Sequence, residues 1–343
     1  MKPLSSLNRS VALTVILFLA VANLTLFRQL RSLYQSTALC VNPATPDVTA
    51  IPPPLPSQPS QPSQPSQSQS PSLEAGSKPE PKPEPKQDLE PSRGIPAKIW
   101  QKAGPKGINQ DTRDLIQKWL SHNPRFRHEV LTDASGEQYV RDHYAYWPEA
   151  LNTFLDLKVP IVKADLLRIL IIYSDGGLYA DLDVACEAPI DSWIPAEYAD
   201  KVKAVVGIEF DGWQFASWTL MAAPGLVHFK SAIEYILRQF RDTAERHQVK
   251  IADITMEMIS DVVDVSGPQA ITLAILESLS KTTGEDIGKA SIAGLHEPRL
   301  LGDVLVMPQA AFAALQGGFP KDQGPYLVSH LYAGTWKNDR GGE

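Results

Sequence analysis

The segment 160–184 constrains the fold more than any other part of this 343-residue sequence. Its residues 162–173 are apolar almost all round, which predicts a buried helix that begins at Pro160. Gly176 and Gly177 then favour the end of that helix and a turn into a strand. A buried helix that leads directly into a strand is typical of an α/β fold.

The strand that follows carries two carboxylates in an otherwise apolar run. Alternation along GLYADLDV (177–184) places Tyr179, Asp181 and Asp183 on one face and the aliphatic side chains on the other. Two like charges side by side repel each other, and a divalent cation between them relieves that repulsion. Asp-x-Asp alone also occurs by chance in loops, but in this setting it predicts a cation that is shared with substrate phosphates.

The buried helix itself carries a pair of opposite charges. Asp165 and Arg168 are spaced i,i+3 and therefore lie on one face. A surface salt bridge is the ordinary explanation of such spacing. The apolar surroundings weaken that explanation because buried charges need partners, and the hydroxyl groups of a sugar are one candidate partner.

Composition excludes some classes of function. The net charge of −7 argues against nucleic acid as a partner, because proteins that bind duplexes are usually basic. Cys40 and Cys186 are the only two cysteines, so neither a disulfide framework nor a zinc cluster can be built from cysteine.

The N-terminal part of the sequence predicts a membrane anchor. Residues 11–27 are almost wholly apolar and have about the minimum length for spanning a bilayer, which leaves 1–10 as a short cytoplasmic segment. A cleaved signal peptide is the first alternative, because the residues AVA at 20–22 resemble a cleavage site. Both of these interpretations direct the rest of the chain to the secretory lumen. A buried helix of a soluble domain is the second alternative, and the disordered segment that follows directly argues against it.

The remainder divides into a stalk and a globular domain. Residues 28–93 include runs rich in proline, serine and glutamine that cannot form a core, so we expect a disordered, extended stalk. From residue 94 to 343 the composition is globular. There the segments 95–101 and 128–133 read as strands and 111–121 as a helix with an aspartate cap. This alternation predicts an α/β fold with a mostly parallel central sheet flanked by helices.

With these residues identified, DLLRILIIYSDGGLYADLD resembles the sugar-binding core of glycosyltransferase family 32 and its DXD-containing relatives. More closely, it resembles the fungal initiation-specific α-1,6-mannosyltransferase group. Further similar segments follow in family order along residues 95–337: IPAKIWQ, NPRFRHEVLTD, PIDSWIP, VVGIEFDGWQFASWTLMAAPG, SGPQAIT, GDVLVMP and HLYAGTW.

The resemblance implies a GT-A-type nucleotide-sugar-binding fold, a GDP-mannose donor and Mn²⁺ or another divalent cation. It implies a metal site formed by Asp181, Asp183 and His330. It also implies that donor sugar and nucleotide are contacted by Trp100, Asp165, Arg168, Tyr179, Thr335 and Trp336. The family often has a second histidine beside the one at 330 and a serine before the last tryptophan, where this chain has Ser329 and Thr335.

Several of these residues have ordinary structural alternatives. Trp100 and Trp336 are equally well explained as core aromatics, and a lone histidine such as His330 is more often structural. Glu209 and Asp211, in GIEFDG, leave a strand into a loop that an acceptor can reach. We therefore include both with the two aspartates of the DXD motif as candidate reaction-centre residues.

The function that the resemblance implies is a metal-dependent retaining transfer of mannose to the core N-glycan of glycoproteins through an α-1,6 linkage. The expected location is the Golgi membrane, as a single-pass type II protein with a lumenal domain and other Golgi glycosyltransferases as candidate partners in a complex. Two alternatives stay open: another family 32 transferase that uses inositol phosphoceramide or a UDP-sugar, and a non-catalytic glycan-binding protein. Lipid-directed relatives tend to carry further apolar spans near the C-terminus, and none follows Trp336 here, which favours a glycoprotein acceptor.

Overall fold

The computed structural model describes residues 94–332, which lie within one compact unit. The predicted anchor at 11–27 and the predicted stalk at 28–93 lie outside the described residues. Thr335 and Trp336 lie outside them as well, so their predicted donor contacts stay predictions.

Nine strands and eight α-helices make up residues 94–332. The strands are β1 (Lys98–Lys102), β2 (Arg127–Leu131), β3 (Gly177–Ala180), β4 (Val184–Cys186), β5 (Ala204–Glu209), β6 (Gln214–Ala222), β7 (Arg299–Leu301), β8 (Val304–Met307) and β9 (Val328–His330). The helices are α1 (Gln110–His122), α2 (Asp133–Tyr144), α3 (Pro148–Asp156), α4 (Pro160–Asp175), α5 (Val227–His247), α6 (Val262–Val265), α7 (Pro268–Thr283) and α8 (Gln309–Ala313).

Seven strands form the central sheet, in the order β2-β1-β3-β6-β5-β8-β7. Strand β1 is parallel to β2 and β3, and β5 is parallel to β8. Strand β6 is antiparallel to β3 and β5, and β7 is antiparallel to β8. All strands of this seven-stranded sheet except β6 and β7 therefore run in one direction, and the predicted mostly parallel sheet is confirmed.

The sheet has a hydrophobic core on each face. Neighbouring residues on one strand point to opposite cores: Ile99 and Leu178 pack into one, and Trp100 and Tyr179 into the other. Helices α2 to α7 contribute side chains to the second core, whereas α1, α8 and the antiparallel pair β4–β9 contribute to the first. This three-layer arrangement confirms the predicted α/β architecture with flanking helices.

The predicted elements near the N-terminus of the domain are present. The segments 95–101 and 128–133 overlap β1 and β2, each of which extends one residue beyond its segment, and 111–121 lies within α1. The predicted aspartate cap is wrong, because α1 begins after Asn109, whose side chain accepts a hydrogen bond from the Thr112 N–H at 2.8 Å. The predicted buried helix is α4, which begins at Pro160 and ends before Gly176.

The DXD segment is not one continuous strand, as the alternation predicted. Strand β3 ends at Ala180, and residues 181–183 form a turn in which the Val184 N–H donates to the Asp181 carbonyl at 3.1 Å. After the turn, Val184 pairs with His330 in the separate β4–β9 sheet. Both aspartates therefore lie on a turn between two sheets.

One helical stretch within residues 94–332 is long and apolar enough to cross a membrane. It is Val262–Thr283, with a mean hydropathy of 1.2 and 72% of its apolar window buried. It comprises α6 and α7, whose apolar side chains belong to the hydrophobic core, so we assign it as a core segment of the globular domain.

Candidate functional site

Helix α4 and the turn after β3 bring the predicted charged residues together. The Nη2 atom of Arg168 lies 3.2 Å from Oδ1 of Asp165 and 3.5 Å from Oδ1 of Asp181. The hydroxyl group of Tyr179 donates to the same Asp181 oxygen at 2.9 Å. A guanidinium group thus lies between two carboxylates, one inside the helix layer and one at the mouth of the site.

Two serines complete this cluster, and the sequence analysis assigned no role to either of them. Nη1 of Arg168 donates to the carbonyl oxygen of Ser217 at 2.9 Å and contacts its Oγ at 3.1 Å. Ser266 donates its hydroxyl hydrogen to Oδ2 of Asp165 at 2.8 Å. Nε of Arg168 is buried and has no hydrogen-bond partner among residues 94–332, so the guanidinium group retains donor capacity.

Burial determines the electrostatics of the cluster. Burial raises the pKa of Asp165, although Arg168 opposes that shift. Burial also raises the pKa of Asp181, and the neighbouring Asp183 carboxylate raises it further. Burial alone lowers the pKa of Arg168, but the carboxylates of Asp181 and Asp165 outweigh it and raise that pKa, so the arginine stays cationic.

Asp183 has a different set of neighbours on the C-terminal side of the site. Nε2 of His330 lies 3.3 Å from Oδ2 of Asp183, and Nδ1 of His330 is buried without a hydrogen-bond partner in the described part of the chain. The imidazole ring stacks on Trp218, with centroids 4.4 Å apart, and contacts Tyr332 at 4.0 Å. Strand β9 therefore brings an aromatic wall and one imidazole to the DXD turn.

The residues present fit a divalent cation that takes most of its ligands from phosphates and water rather than from the protein. Three carboxylates, those of Asp165, Asp181 and Asp183, surround the single guanidinium group of Arg168, so negative charge is in excess. The side chains of Asp181 and Asp183 are each 27% exposed at the mouth of the site. Cations of the Mg²⁺ type are usually held by one or two carboxylates together with phosphates and water.

The predicted three-ligand metal set is not formed as a cluster. Among residues 94–332, no group of three or more histidine, cysteine, aspartate or glutamate side chains is arranged to hold a metal ion. His330 instead points Nε2 at the Asp183 carboxylate. The protein thus offers the two aspartates as the candidate ligands, with the histidine orienting one of them.

Trp100 is a core residue, and its predicted contact with a nucleotide base is not supported. The side chain is 1% exposed, and its indole N–H donates to the Gly176 carbonyl at 3.0 Å. The ring packs edge-on against Tyr139 at 5.5 Å, and the ammonium group of Lys98 lies 3.3 Å from its centroid. Trp100 lies beside the site because β1 pairs with β3, and its side chain supports β3 from the neighbouring strand.

The two acidic residues of GIEFDG lie in different environments. Glu209 is buried at the end of β5, and the amide groups of Gln214 and Gln316 each donate to one of its carboxylate oxygens at 2.5 Å. The protein therefore covers Glu209, which contradicts the prediction that an acceptor reaches it directly. Asp211 lies in the exposed loop as predicted, and its Oδ1 accepts a hydrogen bond from the Gly294 N–H at 3.2 Å.

Similarity to known proteins coincides with this geometry. The model of a family described as the glycosyltransferase sugar-binding region containing DXD motif matches residues 109–200, which include Asp165, Arg168 and both aspartates of the turn. An initiation-specific α-1,6-mannosyltransferase of Schizosaccharomyces pombe is 31% identical over 264 residues, which cover 71% of this chain and 64% of that relative. The chain is similar to the DXD-containing glycosyltransferases over these residues.

Other proteins similar to this chain carry related names. The initiation-specific α-1,6-mannosyltransferase of Candida albicans is 26% identical over 284 residues, covering 72% of this chain and 74% of that protein. The putative glycosyltransferase HOC1 of Saccharomyces cerevisiae is 28% identical and is covered to 66%. The chain thus spans slightly under two thirds of the length of the S. pombe and HOC1 relatives.

Among solved structures, the PaToxG glycosyltransferase is similar over 55% of this chain and 72% of its own, with a TM-score of 0.41 and 14% identity.

Proposed function

We propose that this protein is a metal-dependent retaining mannosyltransferase that moves mannose from GDP-mannose to the core N-glycan of glycoproteins through an α-1,6 linkage. The observation that carries the proposal is Arg168, held between Asp165 and Asp181 next to the partly exposed Asp183. An arginine with an unpartnered buried Nε, beside two carboxylates at a surface opening, has the chemistry to bind sugar hydroxyls and phosphate together.

The two aspartates of the turn are assigned to the cation. Asp181 and Asp183 would hold Mn²⁺ or another divalent ion, which contributes Lewis-acid stabilisation of the diphosphate leaving group. As the bond between sugar and phosphate breaks, negative charge accumulates on the nucleoside diphosphate. His330 keeps the carboxylate of Asp183 in one orientation, since its Nε2 lies 3.3 Å from Oδ2.

The buried pair is assigned to the donor sugar. Asp165 accepts hydrogen bonds and Arg168 donates them, so together they fix hydroxyl groups of a hexose in one orientation. A fixed orientation lowers the entropic part of the barrier to transfer. Tyr179 is buried and donates to Asp181, so we assign it to positioning that carboxylate rather than to a direct contact with the donor.

The positions of the carboxylates support a proposal for the stereochemical course. Retention requires either a carboxylate nucleophile on the far face of the sugar or attack on the same face, assisted by the leaving phosphate. Glu209 is covered by its two amide donors and is poorly placed as a nucleophile. We therefore propose same-face attack, with Asp211 as a candidate contact for the acceptor.

The names of the relatives support the choice of sugar and linkage. Three of the similar proteins are described as initiation-specific α-1,6-mannosyltransferases. The mannosyl phosphorylinositol ceramide synthase SUR1 of S. cerevisiae matches only 28% of this chain, which makes a lipid acceptor the weaker proposal. With the apolar segment 11–27 as an anchor, the proposed location is the Golgi membrane with the domain in the lumen.

The test is donor turnover by the full-length protein in detergent. The protein is incubated with GDP-mannose, UDP-glucose or UDP-galactose, with Mn²⁺ or with EDTA, and free nucleoside diphosphate is measured with and without a high-mannose N-glycan. We expect release of GDP that requires both the metal and Asp183, so that Asp183→Asn reduces it by at least about a hundredfold. Asp191→Asn, which alters an exposed aspartate paired with Arg125, is the matched control and should leave turnover unchanged.

Each result separates the alternatives. Turnover of a UDP-sugar would overturn the choice of donor and leave the metal site in place. Transfer to inositol phosphoceramide in preference to the N-glycan would overturn the choice of acceptor. No turnover of any donor, with the N-glycan present and the fold intact by circular dichroism, would favour the glycan-binding alternative.

A further inference from the structure

The loop after β5 presents two large aromatic side chains to solvent. Phe210 is 52% exposed and Trp213 is 51% exposed, and only two residues separate them. Exposed aromatic residues placed together on a loop beside a site are more often used for recognition than for packing.

The backbone of this loop is held in a conformation that most residues avoid. Phe210, Asp211 and Gly212 have φ angles of 50°, 54° and 83°. A Cβ atom at Gly212 would lie 2.4 Å from the carbonyl oxygen of Ile292, so only glycine fits there. The Asp211 N–H donates to Oε1 of Gln309 at 2.8 Å, and this hydrogen bond holds the loop in place. The strained loop is therefore a fixed platform for its aromatic side chains.

A cavity of about 250 Å³ lies between this loop and the segment 289–293. Phe210, Asp211, Trp213 and Lys289 line it. The ammonium group of Lys289 lies 3.7 Å from the centroid of the Trp213 ring and donates to Oε1 of Gln269 at 2.7 Å. The lining thus combines flat apolar rings with one carboxylate and one ammonium group, and its size is below that of sites for drug-sized ligands, which run to roughly 300–1,000 Å³.

Tyr332 relates the aromatic loop to the DXD turn. Nε2 of His330 contacts Asp183, and the ring of His330 contacts Tyr332. The charge of Glu209 acts on Tyr332, whose pKa is raised by burial first and by that carboxylate second. Glu209 directly precedes Phe210, so the aromatic loop begins next to a carboxylate whose charge reaches Tyr332.

We propose that this cavity is a subsite for the acceptor glycan, in which a pyranose ring of a neutral oligosaccharide lies against Trp213 and Phe210. The C–H face of a pyranose stacks on an aromatic ring, and its hydroxyl groups donate to the Asp211 carboxylate and accept from Lys289. The opposite charges of these two side chains balance, which favours a neutral sugar over a phosphate or an acidic peptide. This inference rests on the proposed function, because it places the acceptor of the same reaction.

The test compares acceptor kinetics with donor kinetics in the full-length protein. Trp213→Ala is expected to raise the KM for a high-mannose oligosaccharide about tenfold, which is the loss of about 1.4 kcal/mol of stacking and burial. Metal-dependent hydrolysis of the sugar nucleotide without acceptor should stay within about twofold of wild type. Trp213→Phe keeps an aromatic face and should recover most of the affinity. Tyr146→Ala removes a 68% exposed aromatic residue elsewhere and is the matched control.

A binding measurement separates this inference from the proposed function. Saturation-transfer NMR without nucleotide should show contact between the full-length protein and a mannose oligosaccharide that Trp213→Ala abolishes and Tyr146→Ala does not. Such binding with no turnover of any donor would uphold the subsite and overturn the transferase. An acceptor KM and an NMR signal that are the same in Trp213→Ala and wild type would overturn the subsite, and so would aromatic-dependent association with protein or vesicles without sugar binding.

Discussion

Arg168 in α4 reaches the carboxylate of Asp181 after β3 across 3.5 Å, at a point where only 7% of the arginine side chain is exposed. The same Nη2 atom lies 3.2 Å from Asp165. A buried cation shared by two carboxylates links the helix layer to the DXD turn, so stability and the proposed donor binding depend on the same group.

Replacing Arg168 should therefore destabilise the fold as well as reduce activity. Arg168→Met keeps a long side chain but leaves the carboxylates of Asp165 and Asp181 without their cation, at an expected cost of about 3–5 kcal/mol. Denaturant unfolding followed by tryptophan fluorescence measures this. Adding Asp165→Asn removes one of the two stranded charges and should recover part of the loss. A double variant that is no more stable than Arg168→Met alone would contradict this explanation.

Ser266 should act on donor binding through Asp165. Ser266→Ala removes the 2.8 Å hydrogen bond to Oδ2 and frees that carboxylate to rotate, so we expect the KM for the nucleotide sugar to rise about fivefold, in line with about 1 kcal/mol. Initial rates at varied donor concentration measure it. Ser278→Ala is the matched control, because Ser278 is equally buried and makes one 2.8 Å bond, to His228. An equal rise in both variants would mean a general loss of stability.

The sequence was sufficient to predict the elements whose signals are local. The apolar run and the glycine pair predicted α4 and the strand after it, because helix burial and helix termination depend on neighbouring residues. The i,i+3 spacing of Asp165 and Arg168 predicted for the same reason that both lie on one face of the helix, where the structure pairs them.

What the sequence did not predict depends on residues far apart in the chain. Ser266 is 101 residues from Asp165, and Ser217 is 49 residues from Arg168, so no periodicity predicts either contact. The break of the DXD segment at Ala180 has the same origin, because the next strand takes its partner from β9. An alternating pattern predicts which face of a strand each residue occupies. It does not predict where one sheet ends and another begins.

Gly177 should be intolerant of any side chain. Its φ is +91°, and a Cβ atom there would lie 2.6 Å from the carbonyl oxygen of Lys98, so Gly177→Ala combines backbone strain with a clash in the sheet. We expect a loss of about 3 kcal/mol or more in denaturant unfolding. Gly284 has a φ of +75°, and no heavy atom lies within 4 Å of the position that its Cβ atom would take. Gly284→Ala should therefore lose only about 1 kcal/mol of stability, from backbone strain alone. Equal losses in the two variants would rule out the clash.

Cys186 should be unreactive in the folded protein. Its pKa is raised to about 11, chiefly by burial, and its thiol contacts the Ala188 carbonyl at 3.2 Å. Because the thiolate is the reactive form, iodoacetamide at about pH 8 should modify it only after unfolding in denaturant. Peptide mass spectrometry distinguishes this site from Cys40. If Cys186 were modified at the same rate in native and unfolded protein, its thiol would be accessible in the folded state, which would contradict the prediction.

The contact between His228 and Asp303 should make stability depend on acid pH. Nε2 of His228 lies 2.9 Å from Oδ1 of Asp303, and this hydrogen bond lowers the pKa of that carboxyl from its ordinary 3.8. A carboxyl whose pKa is lower in the folded state stabilises the fold above its unfolded pKa, and that stabilisation is lost as the pH falls through the lowered value. Asp303→Asn should therefore cost about 1 kcal/mol near pH 6, and the gap to wild type should narrow below about pH 4. Urea unfolding at the two pH values measures the gap, with Asp191→Asn as an exposed control. A gap that stays constant between them would mean that the Asp303 carboxylate contributes through packing and not through its charge.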